Sequence, residues 1–159
     1  MYKNEWGNIT WKFFHTFAEC IDDNIFPKIK DTAIDIIIGI CNNLPCPICQ
    51  EHATLTIKKA YIKKIQTKKH FKEFLRQFHN IVNIKLHKKT YSRSEVENMY
   101  KNINIYNVIN KFIYIFNKKE FNVKLMTNNL HKSIFIKSFI SKINSIQYAL
   151  KIPSTVKSL

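Results

Sequence analysis

The chain has 159 residues, of which 45% are hydrophobic and 13% aromatic, and this excludes general disorder and predicts about one folded domain. Its net charge of +15 would attract nucleic acid or an anionic membrane, but only Arg76 and Arg93 are arginine, which argues against specific readout of nucleic acid. The polar N-terminus lacks a secretory signal, and the apolar runs are too short to cross a membrane. We therefore expect a cytoplasmic protein.

Helices are the elements that the sequence predicts along the first hundred residues. Only 2 Gly and 4 Pro interrupt the chain, and apolar residues recur at three- and four-residue steps. The predicted helices cover about residues 6–21, 30–43, 46–65 and 69–87. Ser92-Arg93-Ser94-Glu95 is a capping box, which starts a fifth helix at about Ser94. The expected fold class is all-α, a four-helix bundle with a short fifth helix packed across it.

The composition changes after Tyr100. Residues 101–159 carry 10 lysines and a single acidic residue, and they contain no Cys, Trp or Gly. Asn128-Asn129 predicts a turn, and apolar residues at helical intervals predict a helix over 131–150. We expect a domain at 1–100 and a partly helical extension of unknown role at 101–159.

The Cys46-Pro47-Ile48-Cys49 motif carries the clearest chemistry. Cys46 falls at or just before the first turn of the third helix, where the helix N-terminus lowers the pKa of a thiol. Cys49 follows one turn later, within bonding distance, so the pair suits reversible thiol–disulfide exchange. The absence of alternating strands and helices around the motif disfavours a thioredoxin-like reductase.

A zinc site is the alternative for the same motif. Cys46, Cys49 and His52 would supply three ligands, and His79 or His87 a fourth. The chain offers no second short ligand pair, which weighs against this reading. Together with the lysines, it would make the protein a basic zinc-binding module associated with nucleic acid.

Three motifs in order resemble the Erv/ALR family of FAD-dependent sulfhydryl oxidases. They are the first-helix segment from Trp6 to Thr16, the Cys46–Cys49 pair, and the segment from His79 to Lys88. Each motif alone is weak, but together they span about the first hundred residues. The short form is most similar to the versions encoded by large cytoplasmic DNA viruses.

The resemblance implies a bundle that holds FAD next to the disulfide. Cys49 would be the cysteine near the flavin, and Cys46 the one that an incoming substrate thiolate attacks. The cofactor-binding positions that it implies are Gly7, Trp11, His15, Cys49, His79, Asn80, Val82, Asn83, Lys85 and Lys88. No metal is implied.

The resemblance also implies the reaction and the partners. Protein dithiols, in a thioredoxin-like or virion protein, would be oxidised to disulfides, and dioxygen would accept the electrons to give hydrogen peroxide. A homodimer is implied as well. Asn8 stands where cellular members often carry Arg, and both their shuttle cysteine pair and their accessory disulfide are absent. We expect Cys20 and Cys41 to be buried free thiols, with pairing across two helices as the alternative.

Overall fold

The computed structural model describes residues 3–60, 62–118 and 126–154. Its α-helices are α1 (Lys3–Cys20), α2 (Phe26–Cys41), α3 (Pro47–Lys59), α4 (Lys68–Lys85), α5 (Arg93–Tyr100), α6 (Ile105–Phe116) and α7 (Met126–Ile146). Short 3₁₀ turns lie at Ile62–Lys64 and Gln147–Ala149. Within the described ranges there is no strand, only a bridge between Ile21 and Leu150. The predicted all-α class is confirmed.

Local sequence explains where the helices begin. The Thr67 side chain accepts a hydrogen bond from the His70 backbone N–H and starts α4. Ser92 and Glu95 form the predicted capping box at the start of α5, with both reciprocal hydrogen bonds present. The predicted third helix was too long, because the backbone turns extended at Ala60 and ends α3 at Lys59.

The core of the bundle is aromatic and lies between α1, α2 and α4. Phe17 of α1 and Phe26 of α2 both pack against Phe71 of α4, with ring centroids 6.2 and 5.4 Å apart respectively. All three side chains are completely buried. Burial of each such ring stabilises the fold by roughly 1.5–3 kcal/mol, which fixes α1 and α4 side by side.

Two helices after residue 101, α6 and α7, lie against the bundle. Helix α6 packs on α1, and α7 packs on α2. The predicted turn at Asn128-Asn129 was wrong, because the backbone of both residues belongs to the first turns of α7. Helix α6 was not foreseen. None of the described helices is long and apolar enough to cross a membrane.

Candidate active site

The Cys46–Cys49 pair forms a disulfide at the N-terminus of α3. The two Cα atoms are 5.1 Å apart. Cys46 is the N-cap residue, and its Sγ accepts a hydrogen bond from the Cys49 backbone N–H at 3.3 Å. Pro47 occupies the first helical position, where its missing N–H costs nothing. Once the pair is reduced, the positive end of the helix stabilises a thiolate here.

The zinc alternative finds no support in this geometry. No group of three or more His, Cys, Asp or Glu residues could hold a metal ion in the part of the chain that the structure describes. The imidazole of His52 instead contacts the amine of Lys85, and the Lys85 Nζ lies 3.0 Å from the His52 Nδ1. His87 is exposed and adopts a positive φ of 54° just after α4.

A cavity of about 960 Å³ opens between α1, α3, α4 and α5, with the disulfide in its wall. Small-molecule sites usually enclose about 300–1,000 Å³, so this cavity has room for a large cofactor. The predicted site residues that line it are Gly7, Trp11, Cys46, Cys49, His79, Val82, Asn83, Lys85 and Lys88. His15 and Asn80 do not line it.

Stacked aromatic rings form one side of this cavity. The indole of Trp11 lies on the imidazole of His79, with centroids 4.1 Å apart and planes 7° from parallel. Behind them His15, which is 2% exposed, stacks on Tyr100 with centroids 4.9 Å apart. His79 thus covers one face of the Trp11 indole, and Phe14 and Phe78 pack nearly perpendicular to the same ring, with centroids 5.5 and 5.2 Å away.

His15 and His79 share a hydrogen bond between Nε2 of His15 and Nδ1 of His79, at 2.9 Å. Burial, and secondarily the neighbouring His79, lowers the pKa of His15 to about 3. Burial, and secondarily the charge of Lys88, lowers the pKa of His79 to about 4. Both rings are therefore neutral near pH 7, so that one imidazole donates to the other.

Asn80 and Asn83 hold the loop that follows α4. Asn80 donates from Nδ2 to the Tyr91 carbonyl and accepts from the Tyr91 N–H, both at 2.9 Å. Asn83 donates from Nδ2 to the Lys89 carbonyl at 2.9 Å. Their predicted contacts with the cofactor stay predictions. In the structure these two side-chain amides bond to the backbone of the loop after α4.

The loop itself begins with a tight helix end. The Lys88 N–H donates to the Asn83 carbonyl at 2.8 Å, and the His87 N–H donates to the Ile84 carbonyl at 3.1 Å. These two bonds form a Schellman motif, which suits the left-handed backbone of His87. The sharp turn brings Lys88, Lys89 and Tyr91 to the cavity.

The cavity is positively charged. The described lining includes no Asp or Glu. It includes five lysines, which are Lys12, Lys59, Lys85, Lys88 and Lys89. Lysine is a common partner of phosphate groups. An aromatic wall next to a disulfide, with lysines along the edge, fits a cofactor that joins a planar ring to an anionic diphosphate.

Sequence reasoning missed several residues of the cavity wall. Tyr91 follows the α4 loop, Met99 and Tyr100 end α5, and Ile103 lies just beyond it. Cys41, at the end of α2, also lines the cavity. An aromatic residue directly before the Ser92 capping box was the one available signal, but nothing local shows which way Tyr91 points.

A disulfide at a helix end, in the wall of a cavity suited to an aromatic and anionic cofactor, defines a thiol–disulfide oxidoreductase of the flavin-linked, all-helical kind. Residues 8–101 match the model of the Erv1 / Alr family, and the chain belongs to this family.

Curated relatives come from large DNA viruses. An FAD-linked sulfhydryl oxidase of African swine fever virus (isolate Tick/Malawi/Lil 20-1/1983) is 34% identical over 96 residues, which cover 60% of this chain and 80% of the relative. A relative from Invertebrate iridescent virus 6 is 34% identical over 94 residues, 52% of this chain and 80% of the relative. No solved structure matches the chain. The family match and these relatives confirm the predicted family, the class of thiol oxidase and the FAD cofactor.

Proposed function

We propose that this protein forms disulfides in protein substrates with its Cys46–Cys49 pair, and that FAD passes the electrons to dioxygen. The observation that carries the proposal is the position of the disulfide in the wall of the lysine-lined cavity. When bound, FAD would supply a two-electron acceptor for the reduced pair, with dioxygen as the final acceptor and hydrogen peroxide as its product.

The cofactor would be held by three kinds of group. Trp11 lines the cavity with an indole that is stacked on His79, and His79 in turn is fixed by its hydrogen bond to His15. Lys85 and Lys88 line the cavity where the diphosphate would need positive charge. Gly7 has no heavy atom within 4 Å of an added Cβ, so the backbone is open to a close ligand there.

The two cysteines would divide the work. A substrate thiolate attacks the Cys46 sulfur, the Cys46–Cys49 bond breaks, and Cys49 leaves as a thiolate near the N-terminus of α3. A second substrate thiolate then attacks the substrate sulfur of the mixed disulfide and releases Cys46 as a thiolate. The substrate thus loses two electrons and two protons to form its disulfide, and the cysteine pair is reduced. The order of attack rests on the family resemblance.

The surroundings of the pair support access by a protein substrate. Pro47 and Ile48, between the two cysteines, are both exposed, and the Ile48 side chain is 66% exposed. We propose protein dithiols as substrates, in a thioredoxin-like or virion protein, within the cytoplasm of an infected cell. A homodimer would have to use surfaces other than those on which α6 and α7 lie.

A purified full-length protein tests the proposal directly. We expect a yellow protein that consumes dioxygen with dithiothreitol and releases hydrogen peroxide. Cys49→Ser and Cys46→Ser should each lower turnover at least about 100-fold while flavin remains bound. Cys20→Ser, which changes a buried thiol outside the cavity lining, is the matched control and should keep turnover.

Absorption spectra separate the two roles. Cys46→Ser should leave a Cys49 thiolate next to the flavin, visible as a long-wavelength absorption band, and Cys49→Ser should lack that band. The reverse pattern would exchange the roles. A colourless protein, or full turnover in Cys49→Ser, would contradict the proposed function.

A further inference from the structure

Two sides of helix α1 make different contacts. Trp11 and His15 belong to the side of the cofactor cavity, since Trp11 lines the cavity and His15 bonds to His79. Phe13 belongs to the other side. Its ring is fully buried, with its centroid 5.4 Å from Phe112 of α6 and 5.3 Å from Phe139 of α7.

The aromatic contacts continue within the extension. Phe112 packs on Phe139 with centroids 5.0 Å apart and on Phe116 at 4.2 Å. All three side chains are at most 2% exposed. Separating α6 and α7 from the bundle would therefore expose the apolar face of α1 and the phenylalanine rings of α6 and α7 to water. Both the bundle and the two helices would lose stability.

Further contacts join α7 and the residues after it to α2 and to the turn that follows α1. Lys142 of α7 lies 3.8 Å from the Asp35 carboxylate of α2. The Lys151 N–H donates to the Cys20 carbonyl, and the Asp22 N–H donates to the Ala149 carbonyl, each at 2.8 Å. Residues 149–151 are thus bonded to the end of α1 and to the turn between α1 and α2.

The swine fever virus relative is too short to carry both added helices. The family match ends at residue 101. The 96 matched residues make up 80% of the swine fever virus relative, so 96 divided by 0.80 gives it about 120 residues in all. That length leaves no room for both α6 and α7, which with their 3₁₀ turn extend from Ile105 to Ala149 here.

We infer that α6 and α7, with the short turn after α7, are an internal partner of the oxidase helices. They complete the core behind the cofactor cavity and occupy a face of α1 and α2 that a chain without them would leave exposed. A second copy of the chain cannot dock on that face, and the unit that folds is larger than the segment that the family shares.

Unfolding of the full chain tests this inference without reference to flavin or activity. The chain has 2 tryptophans, Trp6 and Trp11, both on α1, so the tryptophan fluorescence originates from an oxidase helix and not from α6 or α7. Far-ultraviolet circular dichroism reports on all helices. Phe139→Ala should lower the urea midpoint of both signals together, by about 1.5–2.5 M. Ile134→Ala, on the same helix at a side chain that is 57% exposed, is the control and should shift it by less than about 0.5 M.

If Phe139→Ala does not fold, Phe139→Leu should give a smaller shift, about 0.5 M, shared by both signals. A tryptophan midpoint that stays in place while the dichroism splits into two transitions would overturn the inference, because the extension would then be an independent unit.

Hydrogen exchange at low and high protein concentration tests the occupied face. Amides of α6 should stay equally protected, whether the chain remains a monomer or dimerises elsewhere. Loss of protection in α6 as a dimer forms would mean that a second copy displaces the extension, and would refute the inference.

Discussion

Replacing Asn80 with alanine separates a residue that holds a loop from one that touches the cofactor. Asn80 makes two hydrogen bonds to the backbone of Tyr91, both 2.9 Å long. Each is worth about 1 kcal/mol net. The Tyr91 carbonyl keeps a second donor, Nη1 of Arg76 at 3.0 Å, so only the Tyr91 N–H loses its partner. We therefore expect the free energy of unfolding to fall by about 1–2 kcal/mol.

The same change should weaken flavin binding. The loop after α4 contributes Lys88, Lys89 and Tyr91 to the cavity lining. Without the Asn80 hydrogen bonds this loop would be less ordered before FAD binds, and ordering it on binding would cost free energy. A loss of about 1.4 kcal/mol corresponds to a tenfold rise in Kd for FAD. Urea unfolding followed by tryptophan fluorescence gives the stability, and titration of the unloaded full chain with FAD gives the Kd.

Two matched variants sharpen the result. Gln77→Ala, one turn earlier on α4, removes an exposed bond to Glu73 and should change stability by less than about 0.5 kcal/mol. Asn80→Asp keeps an acceptor for the Tyr91 N–H but places an acceptor against its carbonyl, and should fall between wild type and Asn80→Ala. Loss of FAD binding with unchanged stability in Asn80→Ala would refute the loop role and favour a direct cofactor contact.

Three further predictions follow from the fold. Gly39→Ala should raise the free energy of unfolding by about 0.5–1 kcal/mol, seen as a higher Tm, because a Cβ there meets its nearest atom on α7 at 3.9 Å and alanine favours the helix. Burial lowers the pKa of both His15 and His79 from 6.5, so below about pH 6.5 the unfolded chain binds protons that the folded chain refuses. Stability measured by urea unfolding should therefore fall from pH 6.5 to about 4, and less steeply in His15→Gln. With the disulfide intact, Cys20 and Cys41 should resist a thiol reagent at pH 7, because burial raises the pKa of both thiols to about 12. Both should react once urea unfolds the chain, and mass spectrometry measures the labelling. Rapid labelling of the native chain would contradict their burial.

Features that depend on neighbouring residues could be predicted from the sequence. The Ser92–Glu95 capping box and the N-cap position of Cys46 both formed as expected, because each needs only three or four consecutive residues. The expected burial of Cys20 and Cys41 as free thiols is also confirmed. Apolar spacing located the four main helices to within a few residues, except at the end of α3.

Features that depend on distant partners could not be predicted. The polar face of Asn80 and Asn83 suggests a ligand, but both amides bind a loop that lies six to eleven residues away. The described lysines of α6 and α7 are exposed or half-exposed, so they indicate only the outer surface of these helices. They conceal buried residues of the same helices, Phe112 and Phe139, whose role depends on contact with Phe13 a hundred residues earlier.

Cys41 is a free thiol in the wall of a cavity that also contains a disulfide. Its thiol is almost completely buried and lies in the wall of the cavity that also holds the reactive pair. Burial raises the pKa of Cys41 to about 12, so this thiol is almost entirely protonated at pH 7. Because only the thiolate attacks a disulfide, burial disfavours exchange between Cys41 and the Cys46–Cys49 disulfide. The same burial that secures the end of α2 thus keeps a thiol unreactive in the cavity wall that holds a disulfide.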